Sequence, residues 1–260
     1  MEFFDQMGHK VFLEETPKRI ISLVPSQTDL LYYLEVPPIA QTIFCIKPEL
    51  EFKKATKIGG TKKLHLDKIR ALNPDLIIGN KEENNQDQIE ILRKEFPVWM
   101  SDIYTIENSL EMINAIGEML DIRKKSEVLV EEISEKLSSI KAQSYSPQSF
   151  CYVIWKDPIM AVGKNSFINS MLELVGFTNI LTPPSERYPV LNREEILGLK
   201  PDVVLLSSEP FPFTSSHIDE FESLFPDSTV KLVDGESCSW YGSYMLNGLN
   251  YLQNFRQPLE

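Results

Sequence analysis

Residues 20–24 (IISLV) form a short apolar run that closes at Pro25-Ser26, and Leu30, Leu31 and Leu34 then recur on one side of a helical pattern. A strand, a turn and a helix are predicted here, with Ser26 and Asp29 at capping-box spacing. The alternation continues with strands over 39–44, 75–79 and 98–100 and helices over 66–72 and 87–95. Strands alternating with helices build a mainly parallel sheet covered on both faces. From about residue 106 to 142 the pattern is helical throughout. Within 124–142, Leu129 or Val130, Ile133, Leu137 and Ile140 keep one apolar stripe among Lys and Glu. Such a helix is about 28 Å long at 1.5 Å per residue, enough to join two lobes as a strut. After the polar break QSYSPQ, β-type runs resume at 150–155, 203–206 and 230–233.

An internal match gives this pattern its domain meaning. Residues 67–78 (DKIRALNPDLII) and 194–205 (EEILGLKPDVVL) align without a gap as acid, Ile, Leu, Pro-Asp and three aliphatics. The physical reading is a short helix stopped by Pro, with Asp leading into a buried strand. A weaker echo pairs the capped helix starting at Ser26 with one starting at Ser166. Two matches in the same order, on either side of the strut, predict an α/β fold of two Rossmann-like lobes with mostly parallel sheets, bridged by one long α-helix. The boundaries expected are an N-terminal lobe 1–105, a helical linker 106–148 and a C-terminal lobe 149–260.

Composition then narrows the chemistry. The chain has 260 residues, 42% apolar and 25% charged, which excludes disorder and collagen, and no apolar run approaches the ~18 residues of a membrane helix. A formal charge of -12 opposes nucleic acid and anionic lipid, so no nucleic-acid partner is expected. Three cysteines without a CxxC pair and three scattered histidines carry no disulfide framework and no usual metal site. The N-terminal segment lacks a basic start and an apolar core, so the chain as written is expected in the cytoplasm, and in the periplasm if a leader is missing from it.

Enzyme signatures such as GxSxG, GxGxxG and the Walker loop are absent. No catalytic residue is assigned. Gly59-Gly60 could bring backbone N–H groups to a ligand, although such a pair is ordinarily a turn. Cys45 could be a nucleophile, but a small packed thiol is its ordinary role. The stretch 47–70 holds eight Lys or Arg against three acids, ordinarily a solvated surface. In an open α/β sheet, ligands bind beyond the carboxyl ends of the strands. Those ends present Pro25, Ser26, Phe44, Cys45, Glu82, Glu83, Trp155, Glu209, Trp240 and Tyr241. Trp155 and Trp240, with Phe44 and Tyr241, suit a large flat or greasy ligand.

Three segments, PKRIISLVPSQTDLLYYL, FCIKP and KIGGTKKLHLDKIRALNPDLII, resemble the start of the helical-backbone (class III) substrate-binding proteins of ABC importers, nearest the cobalamin-binding branch. VGKNSFINSMLELVGFTNI and YPVLNREEILGLKPDVVLLS resemble the second lobe of the same family. The resemblance implies a non-catalytic solute-binding protein with a cleft for a metal chelate, whether a corrinoid, haem or an iron siderophore. It implies no intrinsic cofactor, an ABC permease as partner and a monomeric state. It makes Asp67 and Glu194 the acids that dock onto permease arginines, and Asn165 and Arg187 complete the expected ligand wall. Cobalamin binders carry an aromatic near the position of Ile58, which is aliphatic here. Two rivals are a two-lobed enzyme such as a sugar-nucleotide transferase, with Glu83 or Glu209 as base or ribose clamp, and a cytosolic sensor derived from the same fold.

Overall fold

The computed structural model describes residues 1–181 and 186–256. They divide into two compact units. The first comprises Met1–Ile103, Glu107–Glu132 and Tyr241–Tyr244, and the second Tyr104–Ile106, Ile133–Trp240 and Met245–Glu260.

The first unit opens with an antiparallel hairpin, β1 (Glu2–Phe4) and β2 (Lys10–Phe12). Its main sheet is built from β3 (Ile20–Ser22), β4 (Ala40–Gln41), β5 (Thr56–Lys57), β8 (Leu76–Asn80) and β9 (Val98–Ser101), in the order β5-β4-β3-β8-β9 and parallel throughout. A two-residue ribbon, β6 (Gly59–Gly60) with β7 (Lys63–Leu64), stands apart from it. The helices are α1 (Pro25–Tyr33), α2 (Glu49–Lys54), α3 (Leu66–Leu72), α4 (Gln86–Arg93) and α5 (Ile106–Met119). The core gathers Ile21, Ile77, Val98 and Met100 from the strands and Leu23 just after β3 with Ile69, Ile89 and Leu92 from the helices. Ile58 belongs to this core and is fully buried, so its aliphatic character serves packing.

The helix α6 (Arg123–Lys141) supplies residues 123–132 to the first unit and 133–141 to the second. Its stripe is Leu129, Ile133, Leu137 and Ile140, each buried, which decides between Leu129 and Val130. The expected linker 106–148 is not a third unit. The apolar face of α5, including Met112, Ile113 and Ile116, is buried, and Met112 lies beside Gln27 of α1, which ties α5 into the first unit.

The second unit contains β10 (Gln148–Trp155), β11 (Met160–Ala161), β12 (Phe177–Asn179), β13 (Val203–Ser207) and β14 (Thr229–Val233). The order β12-β10-β13-β14 is parallel, and β11 adds antiparallel to β10. The helices are α7 (Phe167–Leu174), α8 (Arg193–Gly198), α9 (Ile218–Leu224), α10 (Gly235–Ser239) and α11 (Met245–Arg256). Cys151, Val153, Val204, Leu206 and Val230 of the sheet pack with Ile196 and Phe221.

The internal match is structural down to single hydrogen bonds. Ile20 pairs with Leu76 in one sheet and Phe150 with Val203 in the other, so the segments β4-β3-β8-β9 and β12-β10-β13-β14 correspond. Just before each pairing begins, the Pro-Asp carboxylate accepts from the chain entering the neighbouring strand. Asp75 takes the N–H groups of Lys18 and Arg19, both at 2.8 Å, and Asp202 takes the N–H and hydroxyl of Ser149, both at 2.7 Å. Bonding from Ser149 holds the Asp202 carboxyl below its ordinary range.

Two local expectations change. The strand expected over 39–44 is only Ala40–Gln41, because the chain turns at Cys45, whose N–H bonds to the carbonyl of Thr42 at 3.3 Å. Ser26 does not cap α1. Val24 holds the cap position with Pro25 at the first turn, as proline's fixed φ allows, and Asp29 accepts from Ser243 at 2.6 Å. Ser166, its echo partner, does cap α7 by accepting from the Asn169 N–H at 3.3 Å.

Replacing Asp75 or Asp202 with Ala leaves strand-entry N–H groups without their acceptor. Each variant is expected to lose about 1–2 kcal/mol in urea unfolding, as loss of an N-cap acceptor does.

Candidate functional site

In both sheets the order reverses beside the first strand of the repeat, at β3/β8 and at β10/β13. Beyond the carboxyl ends of strands at such a reversal, neighbouring loops diverge and leave a crevice. Each unit has one such reversal.

In the first unit, β8 ends at Asn80, whose side-chain oxygen accepts from the N–H groups of Glu82 at 2.8 Å and Glu83 at 3.2 Å. Its amide donates to Ser101 Oγ at 3.0 Å, which also accepts from Gln27 at 2.8 Å. Asn84 stitches the loop back by accepting from the Asn80 N–H at 2.9 Å. Tyr241 is buried near Ser101 and Asn80, and burial, with Glu83 nearby, pushes its hydroxyl pKa well up. Beyond β4, Phe44 is 53% exposed, with Ile43 and Ile46 exposed on either side. Its ring lies over Gly60, where an added Cβ would meet it at 3.0 Å. Gly59 has φ +101°, and a Cβ there would stand 2.4 Å from the Lys63 carbonyl. The glycine pair is a turn that seats Phe44.

In the second unit, β13 ends at Ser207, whose hydroxyl accepts from the Glu209 N–H at 3.4 Å and donates to the Glu209 carbonyl at 2.6 Å. The Glu209 carboxylate accepts from Ser239 Oγ at 3.1 Å and Trp240 Nε1 at 3.2 Å. Burial, with Glu236 also nearby, raises its pKa. Trp155 closes β10 with its indole N–H on the Asp157 carbonyl at 3.0 Å, and it is 38% exposed.

The remaining expected residues fall in several roles. Pro25 is half-buried, whereas Ser26, Cys45, Trp240 and Tyr241 are buried, so these four support the rim from beneath. Glu82, Glu83 and Glu209 are half-buried at the strand ends, and Asn165 is exposed before α7. The Arg187 guanidinium lies 3.6 Å over the Tyr104 ring, on a segment whose backbone bonds to Gly163. Asp67 is fully exposed in α3 and 3.0 Å from Arg70, which also forks onto Glu95. Glu194 is exposed in α8, where Asn192 and Glu195 form the capping box, so the cap takes the Glu194 N–H but not its carboxylate. Lysines of the basic stretch have protein partners, as Lys47 on the Tyr244 hydroxyl at 2.5 Å and Lys53 on Glu49 at 2.6 Å.

All three cysteines are buried, and burial raises each pKa, to about 12 for Cys151 and Cys238. No group of three or more metal-ligating side chains occurs among the described residues. None of their helices is long and apolar enough to cross a membrane. The strand-end acceptors Asn80 and Ser207 escaped sequence reasoning, although a polar residue two positions before an acid at a strand end was a readable signal.

The family model for periplasmic binding proteins matches residues 20–227, and the chain belongs to that family. It is a solute-binding protein of the ABC-importer type and of the helical-backbone class, not an enzyme, which removes the transferase rival. A vitamin B12-binding protein of Vibrio parahaemolyticus is 23% identical over 201 residues, 74% of this chain and 72% of that protein. The uncharacterized ABC transporter substrate-binding lipoprotein YvrC of Bacillus subtilis is 27% identical, covering 77% of this chain and 67% of its own length. The crystal structure of the periplasmic vitamin B12 binding protein BtuF of Vibrio cholerae superposes with a TM-score of 0.80 over 94% of this chain and 98% of that one, at 18% identity. That likeness is one of fold.

Trp240→Ala removes a buried indole and its bond to Glu209, and about 3–5 kcal/mol of stability should be lost in urea unfolding. Glu209 binds its proton more tightly folded than unfolded. Its contribution to stability is therefore complete below the ordinary carboxylate range and is lost as pH rises through the raised folded value. Between about pH 4 and pH 7 the urea midpoint of Glu209→Gln should consequently fall less than that of the wild type.

Proposed function

We propose that the chain captures a metal chelate of corrinoid type at the carboxyl ends of its two sheets and delivers it to an ABC permease. One observation carries the ligand reading. Superposing the two registers places Asn80 on Ser207 and Glu82 on Glu209. In each unit the strand-end acceptor holds the N–H of the residue two positions on and so presents a glutamate at the same place. Rims of this kind favour a neutral or cationic ligand with N–H donors at its edge and disfavour one bearing carboxylates. A corrinoid has a periphery of amides, whereas haem carries two carboxylates. The vitamin B12-binding relative agrees with this choice. Pro25, Phe44, Glu82, Glu83, Trp155, Asn165, Arg187 and Glu209 are the contacts proposed, with Ser26, Cys45, Gly59, Gly60, Trp240 and Tyr241 beneath them.

Two lobes divided at α6 form the receptor in this reading, which works as a monomer on the outer side of the membrane once exported. Asp67 and Glu194 dock it to the permease. Helix capping accounts for neither acid, since the α3 cap has no side-chain bond and the α8 cap uses Asn192 and Glu195. Charge-assisted pairing with arginine makes such contacts selective in geometry.

Titration calorimetry with dicyanocobinamide, cyanocobalamin and haemin tests the ligand, and the corrinoids should bind at least tenfold more tightly than haemin. Haemin binding as tightly would refute the reading of the acidic rim. Reversal of both docking acids, Asp67→Lys with Glu194→Lys, should abolish corrinoid uptake in cells carrying the cognate permease and leave affinity in solution unchanged. Loss of affinity would put these acids in the pocket instead.

A further inference from the structure

The internal repeat carries the same three surface places in both units and fills them differently. In the first unit Arg70 of α3 lies between two acids. Its Nη1 donates to Asp67 at 3.0 Å, and its Nε and Nη2 fork onto Glu95 at 2.8 Å each. These bonds hold the Glu95 carboxyl below its ordinary range. Asp67 and Arg70 match Glu194 and Leu197 of α8 in the ungapped alignment of 67–78 with 194–205. The counterpart of Glu95 follows from the sheets. Val98 stands opposite Ile77 and Val230 opposite Val204, so Glu95, three residues before Val98, corresponds to Asp227, three before Val230. Both fall in the turn after a helix, α4 in one unit and α9 in the other.

The second unit thus keeps both acids and lacks the cation. Glu194 and Asp227 are exposed, and neither carboxylate has a partner among the described residues. Leu197, at the place of the arginine, is 62% exposed. Two carboxylates without a third ligating side chain among the described residues do not make a metal site. What they fit is what their counterparts hold, a planar guanidinium that offers one edge to each acid. The bare leucine adds apolar surface that a small cation would leave uncovered and a protein surface would cover. In the first unit the same demand is met from within, so an incoming arginine has to compete with Arg70 for Asp67.

We infer that Glu194, Asp227 and Leu197 form a socket for an arginine of the permease, and that this socket, rather than the Arg70-filled place beside Asp67, holds most of the docking affinity. The inference rests on the docking role proposed above and adds to it two residues and an asymmetry. Exchanging the side chain at the one differing place tests it, with the ligand-free receptor titrated onto the cognate permease in nanodiscs. Leu197→Arg supplies the missing cation from within and should weaken association about tenfold, whereas Arg70→Leu empties the first place and should strengthen it about threefold. Asp227→Asn should weaken association about as far as Glu194→Gln does, and Asp67→Asn by about twofold at most. Thermal midpoints of each variant separate unfolding from loss of the socket. Unchanged association in Leu197→Arg, or an equal loss in Asp67→Asn and Glu194→Gln, would overturn the socket while leaving docking intact. Unchanged association after the double reversal Asp67→Lys with Glu194→Lys would overturn docking itself, and the socket with it.

Discussion

The arrangement depends on a carboxylate at the entrance to a strand. In a parallel sheet nothing in the side-chain alternation of fully buried strands specifies register, because both faces are apolar. Asp75 and Asp202 supply that specification by accepting from the N–H groups that lead into the adjacent strand, one residue before pairing starts. Once Leu76 stands opposite Ile20, and Val203 opposite Phe150, the far ends of β8 and β13 are also determined. Asn80 and Ser207 fall where each strand leaves its sheet, and the glutamates follow two positions later. A slip of one residue would turn these side chains to the opposite face and dissolve the rim. The Pro-Asp pair at one end of each strand thus decides the chemistry presented at the other.

Much of this was open to reading because it repeats. Acid, Ile, Leu, Pro-Asp and three aliphatics are local requirements of a short helix entering a buried strand, so the same physics left the same letters twice. The amphipathic stripe of α6 was legible for a similar reason, its period being written in Leu129, Ile133, Leu137 and Ile140. What could not be read were decisions made between distant segments. The N–H of Ile43 goes to Gly59, so a run that looked like strand becomes an exposed turn with Phe44 at its crest. Trp240 and Tyr241 look like pocket walls by their place in a late loop, yet each is buried among partners from other loops, Glu209 for one and Ser101 with Asn80 for the other. Ser26 and Ser166 occupy equivalent letters, but Pro25 starts its helix one residue early and only Ser166 caps.

A charge of -12 on the whole molecule and the basic stretch around Lys53 point in different directions until local pairing is considered. Lysines there have partners of their own, as Lys53 has in Glu49 and Lys47 in the Tyr244 hydroxyl, while Asn80 holds the N–H groups of Glu82 and Glu83 at the end of β8. An indole and a hydroxyl both donate to the Glu209 carboxylate.

The burial of the three cysteines has a practical consequence. A thiol must be exposed and ionised to react, and Cys45, Cys151 and Cys238 are neither. The native chain is expected to be silent toward maleimides, so a single cysteine introduced at an exposed position such as Asn165, one of the contacts proposed, would be the only labelling point. A fluorophore attached there would turn the protein into an optical sensor for its own cargo, without removal of any native residue from the core.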